Sequence, residues 1–338
     1  MEISMKKVCF YVAPVYQKNK IFDPAPSNIN QDGEMLAFHQ LRERLLASGF
    51  SVDTQDIVSA KEADCVVYLE MPPQITTAKE KSYLLAFECE VIRPDNWDES
   101  KHKMFRGIFS LCKHDCKGTL VHPIPIPQRL KDSLPEQPWE QRKLCTLMSG
   151  PYVSFHPTEL YSKRADWIRW FTQNSPQDFD FYGSNWSQMK IMGPRWQRAF
   201  ARIPKWTNIF RPPLSLYRGR AQDKLKTLNA YKFSICFENS SHDEYITEKI
   251  FDCFFAHNVP IYMGAPDIQK WIPKDCFIDV RDFKSKEEIF QFMKSFSKTQ
   301  YDQQQDAVKK YLASPAFERF TNERFVKVIG DEILKSFS

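Results

Sequence analysis

Residues 233–237 read Phe-Ser-Ile-Cys-Phe, and a polar run, Glu-Asn-Ser-Ser-His-Asp-Glu-Tyr-Ile-Thr-Glu-Lys, follows directly at residues 238–249. The first run has the length and apolar character of a buried strand, and apolar residues then recur at positions 246, 250 and 254, which is helical spacing. Residues 259–262, Val-Pro-Ile-Tyr, form another strand-like run. Strand, helix and strand in this order predict a parallel βαβ unit. Ligands of open α/β sheets bind at the carboxyl ends of strands, so we expect a functional site in the polar run.

The same alternation extends over the rest of the chain. We predict strands at residues 7–13, 63–70, 83–87, 107–111, 144–148, 178–182 and 276–280, with helices at 34–47, 159–173, 286–296 and 301–312. A proline-rich connector covers residues 121–142 and indicates a boundary near Gly150. The fold class predicted from this pattern is α/β, with parallel sheets covered by helices.

Composition excludes several classes of protein. The chain has 338 residues, of which 42% are hydrophobic, and this suits a globular protein of about two domains. No apolar stretch approaches the ~20 residues that a membrane-spanning helix needs. The net charge of +5 is too small and too evenly spread to indicate nucleic acid. Nine cysteines without regular spacing, and no visible export signal, favour a cytoplasmic location.

Glycine is scarce, and its placement excludes the common phosphate-binding loops. The ten glycines form neither a G-x-G-x-x-G nor a G-x-x-x-x-G-K-[ST] motif. A bound phosphate must therefore be held in another way. Cationic side chains and a helix N-terminus can replace such a loop, because unpaired N–H groups and the helix dipole both attract an anion.

The polar run predicts where the following helix begins. Ser241 and Glu244 have capping-box spacing and Asp243 is a competing N-cap, so we expect the helix to begin around residues 242–244. On such a helix Tyr245, Glu248 and Lys249 share one face. That face either points into the ligand crevice or is an ordinary solvated surface, and spacing alone favours the second interpretation.

Three segments resemble a known family. Residues 238–250, 259–266 and 277–283 are similar to the donor-binding signature of the family 10 fucosyltransferases, the α1,3/α1,4 group. Residues 160–164, which lead into 179–183, resemble the bacterial branch of that family, and residues 87–97 (Phe-Glu-Cys-Glu-Val-Ile-Arg-Pro-Asp-Asn-Trp) resemble its acidic segment.

The resemblance implies a GT-B architecture, in which two Rossmann-like domains face each other across a cleft. The expected domains are an N-terminal acceptor-binding domain at residues 1–150, a C-terminal GDP-fucose-binding domain at 151–313, and a helical tail at 314–338 that returns toward the N-terminal domain. The implied contacts to the donor are Arg164 at the pyrophosphate, together with Asn239, Tyr245, Glu248 and Lys249.

The implied reaction is an inverting transfer of fucose from GDP-β-L-fucose to an acceptor hydroxyl, and it needs a base. Glu88 and Glu90 are the candidates. They lie at i and i+2 and would project to the same side of an extended segment, so alternation does not separate them. Alignment to the family favours Glu88 slightly, and a shift of one gap moves the role to Glu90.

Two short motifs resemble metal-binding sequences, but we predict that neither binds a metal. Asp178 and Asp180 have D-x-D spacing but lead into a strand, and Cys112, His114 and Cys116 lack a second ligand pair at finger spacing. We therefore expect no metal ligands and no cofactor beyond the GDP-fucose substrate.

The complete hypothesis is a bacterial-type fucosyltransferase that acts on an oligosaccharide or glycolipid, with O3 of GlcNAc or glucose as the expected acceptor atom. It would be cytoplasmic, or peripheral at the inner face of a bacterial membrane. One alternative is a GT-B enzyme that uses another nucleotide sugar. The other is an inactive protein that binds a nucleotide sugar or a glycan. The acceptor, the α1,3 or α1,4 linkage and the oligomeric state are not predicted.

Overall fold

The computed structural model describes residues 5–27, 30, 33, 35–112, 116, 118–128, 134–194 and 208–337. The chain divides into two compact units. Unit 1 comprises Met1–Leu130 and Glu318–Ser338, and unit 2 comprises Lys131–Phe317. No helix among the described residues has both the length and the apolar character needed to cross a membrane.

Unit 1 is built on a six-stranded sheet in which every described pairing is parallel. The strands are β1 (Lys6–Tyr11), β2 (Phe50–Thr54), β3 (Cys65–Leu69), β4 (Ser82–Ala86), β5 (Gly107–Ser110) and β6 (Leu120–Pro123). Their order is β2-β1-β3-β4-β5-β6, so the direction of strand addition reverses between β1 and β3. Central strands are apolar on both faces, as expected for a parallel sheet covered by helices.

The helices described in unit 1 are α1 (Leu36–Ala47), α2 (Glu99–His102) and α9 (Asn322–Lys335). The C-terminal helix α9 packs against α1. Arg44 of α1 donates to the carbonyl of Val326 at 3.1 Å and pairs with Asp331, while the Phe38 and Phe325 rings meet with their centroids 5.4 Å apart. The last 21 residues therefore complete the N-terminal unit.

Unit 2 contains a five-stranded parallel sheet and a small two-stranded one. The strands of the larger sheet are β7 (Lys143–Met148), β9 (Phe179–Tyr182), β11 (Tyr231–Phe237), β12 (Val259–Met263) and β13 (Ile278–Asp279), and β8 (Tyr152–Val153) pairs with β10 (Lys190–Ile191). The larger sheet has the order β13-β12-β11-β7-β9, so its direction of addition reverses between β7 and β11.

The helices among the described residues of unit 2 lie between these strands and after them along the chain. They are α3 (Tyr161–Asn174), α4 (Lys224–Asn229), α5 (Glu248–Phe255), α6 (Lys286–Ser295), α7 (Lys298–Leu312) and α8 (Pro315–Glu318), the last of which reaches the unit boundary. The core lies between sheet and helices, where Leu147, Ile235 and Ile261 are at most 3% exposed and the Phe171 and Phe179 rings stack at 4.3 Å.

The unit boundaries differ from the predicted domain boundaries. The sequence indicated a division near Gly150, but unit 2 begins at Lys131, and β7 pairs with β9 and β11. The predicted N-terminal domain of residues 1–150 would include β7, which the structure places in the sheet of unit 2. Apolar periodicity predicts that a segment is a strand but does not identify the sheet to which it belongs. The sequence analysis also missed β2 and β6.

Candidate functional site

The carboxyl edge of the unit 2 sheet brings together most of the predicted donor residues. The strand order reverses between β7 and β11, which is the position where open α/β sheets bind ligands. Ser149 follows β7, Glu238 and Asn239 follow β11, and Gly264 follows β12. The polar run thus lies at the switch point of the sheet.

Arg164 bridges the two strands of the switch point. It lies in the first turn of α3 and is 4% exposed. Its guanidinium donates to Ser149 Oγ at 2.9 Å, to the Phe237 carbonyl at 2.6 Å and to Asn239 Oδ1 at 3.0 Å. Burial lowers the pKa of Arg164, but an arginine remains protonated at neutral pH. Arg164 therefore places a fixed positive charge under the site and orients Asn239, while its contact with a pyrophosphate stays a prediction.

Asn239 and Tyr245 lie next to each other. The Asn239 amide donates to the Tyr245 hydroxyl at 3.4 Å, and the Asn239 carbonyl accepts the Leu160 N–H at 3.1 Å. Tyr245 is only 2% exposed, so its ring packs in the core and its hydroxyl end reaches toward Asn239. The predicted donor role of Tyr245 would therefore be carried by the hydroxyl and not by the ring face.

The helix after β11 begins later than the sequence predicted. Its first residue is Glu248, with Thr247 as N-cap, and residues 241–246 form a loop. Ser241 bonds through its N–H to the Thr158 carbonyl at 2.8 Å and through its hydroxyl to the Gly264 carbonyl at 3.1 Å. Glu244 has a φ of 65° and donates its N–H to Asp267 at 2.9 Å. These long-range bonds outweigh the local capping box, so Tyr245 does not share a helix face with Glu248 and Lys249.

The first turn of α5 carries Lys249, which is held by a buried carboxylate. Lys249 Nζ lies 3.2 Å from Glu238 Oε2 and 2.8 Å from Thr247 Oγ1, and its side chain is 23% exposed. Glu238 is fully buried and also accepts the Thr247 N–H at 2.8 Å and the Thr247 hydroxyl at 2.6 Å. Burial alone would lower the pKa of Lys249, but the charges of Glu238 and Glu248 raise it, so the ammonium stays protonated.

Glu248 stays ionised at this position. Burial opposes its ionisation, but the positive charges of Lys249 and Lys224 outweigh that effect and set the pKa of Glu248 at about 2. Lys224, at the start of α4, also pairs with the buried carboxylate of Asp252. Sequence reasoning included Glu238 in the polar run but gave it no role, and it missed Lys224. The position of Glu238 directly after β11 was a signal that it belongs to the site. Lys224 is more than twenty residues from Glu248 in the sequence, and no local pattern indicates that the two meet.

Gly264 permits the close approach of two polar groups at this edge. A Cβ at residue 264 would lie 2.5 Å from Glu238 Cγ and would overlap the Tyr262 hydroxyl. Any larger residue would displace Glu238, and with it the anchor of Lys249. One glycine is thus used for packing beside the site, although no glycine-rich loop is present.

The predicted base candidates lie in unit 1, after β4. This strand ends at Ala86, and the Cys89 carbonyl accepts the N–H groups of Ile92 at 3.0 Å and Arg93 at 2.9 Å, which closes a turn. Glu88 and Glu90 are half-buried and lie in or beside this turn. The segment is therefore not a continuous strand, so the alternation argument does not apply to the two carboxylates, and the role of Glu88 or Glu90 as the base stays a prediction.

The metal lookalikes have other partners. Asp180 accepts from Lys143 Nζ at 2.8 Å and from the Tyr231 hydroxyl at 2.7 Å, while Asp178 precedes the strand and pairs with Lys294 at 3.3 Å. His114 lies outside the described residues. Among the residues that are described, no cluster of three or more His, Cys, Asp or Glu side chains could hold a metal ion.

The fold and site define a class: two α/β units with parallel sheets, one of which gathers charged and polar side chains at its switch point. A crystal structure of an α1,3-fucosyltransferase with GDP has this fold, with a TM-score of 0.56 and 17% identity over 99% of this chain and 92% of the other. The predicted α/β class of GT-B type is thereby confirmed.

Sequence comparisons match part of the chain to a family model and to named relatives. Residues 196–320 match the model described as Glycosyltransferase family 10 (fucosyltransferase) C-term, which confirms the resemblance seen in the motifs. An α-(1,3)-fucosyltransferase FucT from Helicobacter pylori is 41% identical over 73 residues, 22% of this chain and 15% of that protein. The mouse 4-galactosyl-N-acetylglucosaminide 3-α-L-fucosyltransferase 9 is 40% identical over 76 residues, 22% of this chain and 21% of that protein. These matches thus span about a fifth or less of either relative.

Proposed function

We propose that the protein is an inverting fucosyltransferase that moves fucose from GDP-β-L-fucose to a hydroxyl of an oligosaccharide or glycolipid. The family match at residues 196–320 supports this proposal, as do the names of the two relatives. The observation that carries it is the anchored Lys249, a protonated cation at the first turn of α5 and at the switch point of the sheet.

In this proposal the unit 2 edge binds the donor and stabilises the leaving group. Negative charge develops on the diphosphate as the glycosidic bond breaks, and pre-placed cations stabilise that charge without reorganising. Lys249 supplies a charge fixed by Glu238, and the N-terminus of α5 adds N–H groups and the positive end of its dipole. Arg164 supplies a second positive charge close by, and the ionised carboxylate of Glu248 accepts hydrogen bonds from hydroxyl groups of the ribose or the fucose.

The acceptor hydroxyl attacks the anomeric carbon on the face opposite the diphosphate, which inverts the configuration. One of Glu88 and Glu90 accepts the proton of that hydroxyl as the bond forms. The expected acceptor atom is O3 of GlcNAc or glucose. We propose that no metal is needed, because Lys249 and Arg164 supply the charge stabilisation that a metal would otherwise give. A cytoplasmic location, free or at the inner face of a membrane, is also part of the proposal.

A donor panel tests the proposal directly. Purified protein is incubated with GDP-fucose, GDP-mannose and UDP-sugars together with an array of acceptor glycans, and nucleotide release and fucosylated product are both measured. Acceptor-dependent release of GDP from GDP-fucose is the expected result. Preference for a different nucleotide sugar would replace this proposal with the first alternative.

A second experiment separates catalysis from binding. Glu88→Gln and Glu90→Gln are made singly and together and are assayed with the preferred donor and acceptor. Loss of turnover at one position, with GDP affinity retained, identifies the base. If the parent binds GDP-fucose but transfers no fucose to any acceptor, the protein is a binding protein and the enzymatic proposal is wrong.

A further inference from the structure

A buried polar framework lies beneath the turn that carries the candidate base. Glu70 follows β3, one of the two strands at the switch point of the unit 1 sheet. Its Oε1 accepts the N–H of Phe87 at 3.1 Å and the N–H of Glu88 at 3.2 Å. Its Oε2 accepts from the amide of Asn96. One carboxylate therefore bonds the backbone at the position where the chain leaves β4.

Asn96 completes this framework from the other side of the turn. It is fully buried, and its Oδ1 accepts the Met71 N–H at 2.8 Å, which fixes the orientation of the amide. The Asn96 amino group then donates both to Glu70 and, at 3.3 Å, to the Glu88 carbonyl. The N–H and the C=O of Glu88 are thus both held, one by Glu70 and the other by Asn96.

Two features indicate that the framework serves a purpose beyond filling space. Glu70 has a φ of 67°, a left-handed conformation that side chains other than glycine and asparagine adopt at a cost. Such strain persists where the surrounding structure enforces it, and it concentrates at functional sites. The described bonds of the Glu70 carboxylate are all accepted bonds, so the arrangement requires a carboxylate and not merely a side chain of this size.

We propose that Glu70 is a positioning residue for the transfer reaction, which with Asn96 holds the backbone of Glu88 so that its carboxylate meets the acceptor hydroxyl. This inference rests on the proposed function, and Glu70 itself touches no substrate in it. It also favours Glu88 over Glu90 as the base, because Glu88 is the residue whose peptide groups the framework binds on both sides.

The protonation of Glu70 gives the proposal a signature. Burial raises the pKa of Glu70 to about 6, although the Asn96 bond, the nearby Arg93 and the two peptide N–H groups all oppose the shift. Other charged groups facing this cluster are Glu88 and Asp95, and Asp95 pairs with Arg93 at 2.7 Å. Below pH 6 the protonated carboxyl of Glu70 would carry an O–H group, but its described partners are all hydrogen-bond donors. The turn would therefore lose one of its hydrogen bonds to Glu70. Glu70→Gln imitates that protonated state at every pH.

The test compares Glu70→Gln and Glu70→Ala with the exposed control Glu80→Gln in the full chain. We expect both Glu70 variants to lower kcat by about 10- to 100-fold, since a small displacement of a reacting group has effects of this size. Affinity for GDP should stay within about twofold, because the donor residues lie in unit 2. The parent should lose activity as the pH falls through about 6, and Glu70→Gln should lack that loss.

Amide hydrogen exchange provides a readout that needs no activity. The N–H groups of Phe87 and Glu88 should exchange faster than in the parent in both Glu70 variants. Their exchange rates should be unchanged in Glu80→Gln. Thermal unfolding identifies a variant that fails to fold, and Glu70→Gln, the milder change, then decides. A kcat within about threefold of the parent in Glu70→Gln, or an unchanged acid limb, would overturn the role of Glu70. A parent inactive with every donor overturns the proposed function instead, so the two failures are distinct.

Discussion

Removal of Lys249 is the most direct test of the donor site. The Lys249→Ala variant deletes the cation at the first turn of α5. The Lys249 side chain is 23% exposed, and its Nζ lies 3.2 Å from Glu238 Oε2. Removing one pre-placed donor to developing charge costs about 2.7–4 kcal/mol in enzymes. Partial exposure screens the charge, so we expect about 2–3 kcal/mol here. This corresponds to a loss of about 30- to 150-fold in kcat/KM.

The same change also affects stability, and the two effects must be separated. Without Lys249 the fully buried Glu238 loses its bond to an ammonium group and keeps, of its described side-chain bonds, the two from Thr247; we expect a loss of about 1–3 kcal/mol in unfolding free energy. The double variant Glu238→Gln/Lys249→Ala removes the uncompensated charge, and the Thr247 hydroxyl can turn to accept from the new amide. Stability should recover in the double variant, while the transfer rate should not.

The assay is steady-state GDP release with fucosylated product as a second readout, together with GDP titration and thermal unfolding. Lys270→Ala is the matched control, because Lys270 is in the same unit, is 72% exposed and pairs weakly with Asp267 at 3.8 Å. It should leave both rate and stability unchanged. If Lys249→Ala retains kcat/KM within about threefold of the parent, Lys249 does not meet the leaving group and the donor site has been misplaced.

Three further predictions concern the same edge of unit 2. Glu248→Gln should lower the unfolding free energy at pH 7. Because the pKa of Glu248 is depressed to about 2, the difference in unfolding free energy between parent and variant should shrink only as the pH falls from about 4.5 toward 2. Denaturant unfolding across this pH range measures it. Gly264→Ala should destabilise the fold by about 1–3 kcal/mol and slow transfer, since the added methyl meets Glu238 Cγ at 2.5 Å; calorimetry and the transfer assay measure these, and an unchanged melting temperature would contradict the packing argument. Treatment with EDTA should leave the transfer rate unchanged, whereas loss of activity restored by added Mg²⁺ or Mn²⁺ would show that the cations of the chain are insufficient.

The local sequence pattern predicted many of the strands and helices, because the choice between strand and helix depends largely on the spacing of apolar residues close together in the chain. The runs at residues 233–237 and 259–262 became β11 and β12, and the helix predicted at 286–296 was found at Lys286–Ser295. Apolar runs of strand length have few alternatives in a packed α/β protein. Pattern failed where contacts distant in sequence decide the outcome, as in the loop before α5, where Thr158 and Asp267 bind backbone groups that the local capping box would have used.

The candidate site divides in the same way. Sequence by itself determined which side chains follow β11, because the polar run from Glu238 to Lys249 is continuous with the strand. Only the tertiary structure decided what each of them does: Arg164 braces two strand ends, Tyr245 is in the core, and Glu238 anchors Lys249. The physical reason is that charge and burial depend on neighbours in space. Glu70 and Glu88 are eighteen residues apart, and no local sequence pattern predicts that the Glu70 carboxylate accepts the peptide N–H of Glu88.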